Sequence, residues 1–195
     1  MKKFLPLLLI IGILVLAGFY MMNLNNRLVK LDESASAQWA NVESSYQRRA
    51  DLIPNIVNTA KGYAEFEQET LIKVTEARSK ATSITIDPSN ITPEQLQQFQ
   101  QAQSGLTSAL SRLLAVFERY PDLKANENFK ELINELERTE NRINVERNRF
   151  NDDARVFNTE IKQFPATLFA GILGFDAKAY FEAEAGNEKA PVVDF

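Results

Sequence analysis

Five polar side chains interrupt ladders that are otherwise apolar: Arg49 and Glu67 in the N-terminal third, Gln103 near the middle, and Glu140 and Arg147 towards the C-terminus. A lone charge in a helix interface is costly, so two arginines and two glutamates at such positions predict internal ion pairs that fix helix register. A sharper alternative is a polar cleft between helices, lined by Arg48, Arg49, Asp51, Asn55, Glu140, Asn141 and Arg147. That cleft would take a small acidic ligand or a partner's peptide. A third possibility is that Arg49 or Arg147 merely extends its charged end to water.

The residue inventory excludes most other chemistry. The chain has no histidine and no cysteine, which removes the commonest general base, thiolate nucleophiles, disulfides and the usual transition-metal ligands. Glu43, Glu65, Glu67 and Glu69 lack the Glu-x-x-His motif of carboxylate-bridged metal bundles. Asp152-Asp153 has no calcium-loop spacing around it and reads as a solvated face. No metal, cofactor or catalytic residue is therefore assigned, and a net charge of -4 gives no reason to expect nucleic acid.

These polar positions need helices to hold them. Phe4 to Met22 carries no charge and reads as a membrane span, since about 1.5 Å per helical residue just crosses a hydrocarbon core of roughly 30 Å. Small residues at Val15-Leu16-Ala17 could mark a cleaved signal, but the apolar run continues past them through Phe19, Tyr20, Met21 and Met22, favouring a retained anchor. From Leu28 a heptad ladder reads Leu28, Ala35, Val42, Arg49, Ile56, Tyr63, Thr70, Ala77. Its companion rung is Trp39, Tyr46, Ile53, Ala60, Glu67, Val74. The phase is kept across Pro54, predicting one helix from the span to Ala81, bent at Pro54; the alternative is a new helix capped by Asp51.

Asp87-Pro88-Ser89-Asn90 is turn chemistry. Thr92-Pro93-Glu94-Gln95 then opens a second helix with a capping box, its buried stripe being Leu96, Phe99, Gln103, Leu106, Leu110, Leu113 and Phe117. After a tight link at 122–125, Asn126 caps a third helix whose ladder is Phe129, Leu136, Ile143, Phe150, Phe157 and Phe164, ended by Pro165. Leu168, Phe169, Ile172, Leu173 and Phe175 form an apolar patch that covers one end of the bundle, or else lies on the membrane or receives a partner helix. A short capped helix at 176–182 is expected to follow. The organisation predicted is all-α: a transmembrane anchor at 1–23, an antiparallel up-and-down four-helix bundle at 24–185 and a loose tail at 186–195.

Several runs now combine. Trp39 to Glu43, Gln47 to Val57, Tyr120 to Asn126, Thr139-Glu140-Asn141 with Arg147, Phe164-Pro165 and Gly174-Phe175 occur in this order, and together the chain resembles the LemA family of bacterial membrane proteins. The resemblance implies a single-pass membrane protein with a four-helix bundle, and it implies no activity. Flanking charges, Lys2 and Lys3 against Arg27 and Lys30, lean towards an N-terminus inside, while the usual topology of the family places it outside; the side of the bundle stays open. The function expected is a non-catalytic interaction or adaptor module at the bacterial cell membrane, with a protein partner in the membrane or envelope. The alternative is a ligand-sensing bundle that binds a small molecule between its helices.

Overall fold

The computed structural model describes residues 5–62 and 67–182, with side chains from Leu9 onward. Tyr63, Glu65 and the tail at 186–195 lie outside the described residues, as do Lys2, Lys3 and Phe4. Helix α1 runs Leu5–Lys61, α2 Gln68–Thr82, α3 Pro93–Phe117, the one-turn α4 Pro121–Ala125, and α5 Glu127–Lys162. The described residues contain no strand, and the fold is an N-terminal apolar helix continuing into an antiparallel helical bundle.

Helix α1 is continuous through Pro54, about 85 Å at the usual rise. Its N-terminal part is long and apolar enough to cross a membrane. Proline cannot donate to the carbonyl four residues back, so the Ala50 oxygen would be orphaned inside the bundle. Arg78 of α2 supplies the missing donor, its Nε lying 2.7 Å from that oxygen. Removing it with Arg78→Met is expected to cost about 1–3 kcal/mol, the usual penalty for a buried acceptor left unpaired. In a Pro54→Ala background residue 54 regains its N–H, and the same substitution should cost clearly less. Urea midpoints of the four proteins in this cycle test it, and equal losses in both backgrounds would refute the proline-repair account.

Two sequence expectations are corrected. The first helix ends at Lys61 rather than Ala81: the chain turns at Gly62, whose N–H reaches the Thr59 carbonyl at 3.2 Å, and α2 starts at Gln68. The fourth bundle helix is therefore α2, and residues 176–182 are not helical. They form an extended strap along α5, because side chains of α5 hydrogen-bond its backbone, as described below.

The other boundaries follow local chemistry. Thr92 and Gln95 form the reciprocal capping box of α3, and Asn126 accepts the Phe129 N–H at 2.9 Å to start α5. Helix α1 lies antiparallel to α5, with Arg27–Glu160 at 2.8 Å, Gln38–Glu146 at 2.8 Å and Arg48–Glu135 at 2.6 Å marking the register. Helix α2 packs on α3 and on α1, while the backbones of α3 and α5 stay apart, their side chains meeting at the end where the Phe117 and Phe129 ring centres lie 4.6 Å apart. One side of the bundle is thus left open.

Candidate functional site: the cleft between α3 and α5

The open side is a cleft of about 820 Å³ walled by Thr107, Leu110, Ser111 and Leu114 of α3 and by α5 from Leu136 to Asn151. A smaller extension of about 340 Å³ reaches Tyr46, Arg49 and Gln103 at its floor. Packing explains the opening. The apolar rungs of α5 at Leu136, Ile143 and Phe150 are buried in the bundle, so the side chains between them, Glu140, Asn141, Asn144, Arg147 and Asn148, face the gap.

At the floor sits Arg49, 1% exposed, with Nη1 2.7 Å from Glu140 Oε1 and 2.9 Å from the Thr107 hydroxyl. Its Nη2 donates to Gln103 Oε1 at 2.5 Å, and Gln103 in turn donates to the Ala81 carbonyl at 3.2 Å. One chain of polar contacts therefore ties α1, α2, α3 and α5 together. Arg49 Nε and the Trp39 indole nitrogen are buried without a hydrogen bond among the described residues.

The structure brings together Arg49, Gln103 and Glu140, and places Asn141 and Arg147 on the cleft wall. Arg147 is half-buried, donates to the Glu182 carbonyl at 2.9 Å and lies 4.9 Å from the Phe181 ring centre. The remaining four sit elsewhere. Glu67 is at the surface, paired with Arg119 at 2.9 Å, because the chain breaks before α2 and takes it off the inward stripe. Arg48 faces outward to Glu135, Asp51 accepts from Gln47 at 2.8 Å, and Asn55 is exposed on the α1–α5 side.

Residues not anticipated from sequence matter as much. Asn158 donates to the Lys178 carbonyl and accepts its N–H, both at 2.8 Å; Asn151 does the same for Phe181 at 2.9 and 2.8 Å. These paired bonds hold the strap extended. Heptad spacing on a helix covers about 10.5 Å and three extended residues about 10 Å, so the asparagine rungs and the strap residues stay in step. Lys178, itself buried, pairs with Asp32 at 2.7 Å. A signal existed in the sequence: Ile143-Asn144, Phe150-Asn151 and Phe157-Asn158 repeat an apolar–asparagine pair on each heptad.

Burial raises the Glu43 carboxyl above its ordinary value of 4.5; the nearby Trp39 indole lowers it in part, although it lies outside hydrogen-bond geometry. A carboxyl whose folded value is raised binds its proton more tightly folded than unfolded, so its contribution to stability is present at low pH and is lost as pH rises through that window. Glu43→Gln should therefore stabilise the neutral-pH fold relative to the native chain, with the difference vanishing in acid. Denaturation midpoints of both proteins across that range check it; a difference that grew in acid would have the wrong sign. Comparing the pair matters because Glu135, held low by Arg138 and then Arg48, shifts stability with pH in the opposite sense.

Among the described residues no group of three acidic, cysteine or histidine side chains is arranged to hold a metal. What the fold and site define is an all-helical bundle carried on an apolar helix able to span a membrane, with a polar-floored cleft on its open side. The LemA family pattern matches residues 38–195, and the chain belongs to that family. It is similar to the magnetosome protein MamQ 2 of Paramagnetospirillum magneticum, 26% identical over 205 residues that cover 95% of this chain and 75% of the relative. The magnetosome protein MamQ of Magnetospirillum gryphiswaldense is 28% identical over 201 residues, covering 93% and 74%. Protein LemA of Metamycoplasma hominis is 28% identical over 182 residues, covering 93% and 80%.

Proposed function

We propose that the protein is a non-catalytic interaction module of the bacterial cell membrane, and that the α3–α5 cleft takes up an extended segment of a protein partner. One observation carries this reading. Asn144 is the next heptad rung after Asn158 and Asn151, lines the cleft beside Glu182, and makes no side-chain hydrogen bond among the described residues. Among the described residues, a rung of the kind that already grips a backbone thus has no backbone on it within this groove. Main-chain recognition of this type supplies affinity through paired hydrogen bonds, with neighbouring pockets adding selectivity.

A ligand-sensing role has less support. The Arg49 charge is already matched by Glu140, both of its terminal nitrogens are committed, and Arg147 on the wall is engaged with the Glu182 carbonyl, so among the described residues these cleft cations already have partners.

The test is photo-cross-linking in the native membrane from Ser111 on the cleft wall and from Arg142 on the far edge of α5, repeated with Asn144→Leu. The expected result is a defined partner captured from Ser111 alone and lost with Asn144→Leu. Capture from Arg142 instead would overturn the cleft reading. A cross-link from Ser111 to residues 183–195 of the same chain would assign the cleft to the chain's own continuation and would equally overturn it.

A further inference from the structure

The end of α5 and the segment after it wrap α1 at the point where α1 leaves its apolar part. Leu24 and Leu28 are buried against Phe157, Ile161, Ala166 and Ala170, with Phe169, Leu173 and Phe175 packed on the same cluster. The Tyr20 ring lies 6.5 Å from that of Phe169. This accounts for the inward side of the segment. Its other side is apolar as well: Phe164, Leu168 and Ile172 are 80%, 58% and 78% exposed, and no charged residue occurs from Gln163 to Phe175.

We infer that Phe164, Leu168 and Ile172 rest in the interfacial layer of the same bilayer that α1 spans, giving the bundle a second foot on the membrane. The partner is a phospholipid surface. Depth argues for it: Tyr20 lies two residues before the end of the apolar run, close to hydrocarbon edge level, and a ring packed against it must share that level. Neighbouring side chains of the same segment then face headgroups and upper acyl chains rather than bulk water. Large apolar side chains left exposed together mark such a contact, and here the continuous α1 brings the lipid to them. With two contacts, the bundle would be held at a fixed height and rotation instead of swinging on a single helix, and the α3–α5 cleft would have a constant orientation to the membrane plane.

The inference rests on α1 spanning a bilayer, and the experiment separates the two. Because the chain has no cysteine, single replacements Leu168→Cys, Ile172→Cys, Leu14→Cys in the span and Ser79→Cys on exposed α2 can each carry a spin label. The labelled full-length proteins are placed in vesicles of phosphatidylcholine and phosphatidylglycerol, and relaxation by oxygen is compared with relaxation by a water-soluble nickel chelate. Oxygen should dominate at 14 and, less strongly, at 168 and 172, while nickel dominates at 79. Nickel dominance at 168 and 172 with oxygen dominance at 14 would overturn the second foot and leave the span standing. Labels at 168 and 172 shielded from both reagents would indicate a protein cover and overturn it too. Nickel dominance at 14 would remove the span and this inference together.

Discussion

Replacing Arg49 with alanine is expected to destabilise the bundle by about 3–5 kcal/mol, the range for breaking a buried ion pair from one side. The loss has two parts. Glu140 keeps some contact with water, its side chain being 33% exposed, so its stranded charge is only part of the cost. Gln103 and Thr107 lose the donors that tie α3 to α1, and Gln103 is only 7% exposed. Glu140→Gln should cost less, because its amide oxygen can still accept from Arg49 and the cleft admits water. A simultaneous Arg49→Met and Glu140→Leu exchange should recover much of the Arg49→Ala loss, since apolar replacement of a whole buried pair is often neutral. Chemical denaturation of the detergent-solubilised full-length chain measures all three. If Arg49→Ala cost under about 1 kcal/mol, the pair would rank with surface salt bridges and could not be the bundle's central tie.

How much of this was legible in the sequence depended on whether local chemistry and tertiary packing agreed. The rungs Leu28, Ala35, Trp39, Val42, Arg49, Ile53 and Ile56 are all buried, so heptad spacing found the inward stripe of α1 and its one charged member. The passage through Pro54 was legible too, because the phase did not shift there; the donor that makes it tolerable, Arg78, was not, since α2 brings it from elsewhere in the chain. The break after Lys61 was hidden by coincidence: Thr70 and Ala77 continue the α1 ladder in phase although they belong to α2. Gly62 is the residue in the sequence that marks this break. The strap failed for a different reason. Asp176 to Glu182 has the composition of a capped helix, yet Asn151 and Asn158 offer its backbone better-placed partners, and Lys178 and Phe181 gain burial only when it is extended. The same contacts explain why the cleft wall was half found: its charges stood out against apolar ladders, while its asparagines looked like ordinary solvent-facing polar residues.

Trp39→Ala should cost about 3–5 kcal/mol, as does truncation of a fully buried large aromatic. Trp39 is the point where α1 meets every other layer of this half of the core. Its ring is 5.5 Å from Phe99 of α3, 5.4 Å from Phe150 of α5 and stacked 5.6 Å from Phe181 of the strap. No single neighbour can close the hole, because each is anchored on a different element. The strap should loosen first, since the Phe181 ring that packs on Trp39 is, with the Asn151 pair and the Arg147 and Gln100 bonds to the Glu182 carbonyl, what holds it to the bundle at this level. Trp39→Phe is the informative companion: it keeps a ring on the same platform and removes the buried indole N–H that has no hydrogen bond, a group whose burial is itself unfavourable. It should cost less than about 2 kcal/mol. Hydrogen exchange at Lys178 and Phe181 amides, read beside the denaturation midpoints, separates strap release from general weakening. Strong protection there in Trp39→Ala would mean that the asparagine clamps hold the strap without the ring. Equal losses for alanine and phenylalanine would show that the indole's size, and not merely an aromatic at this junction, is what the four elements are built around.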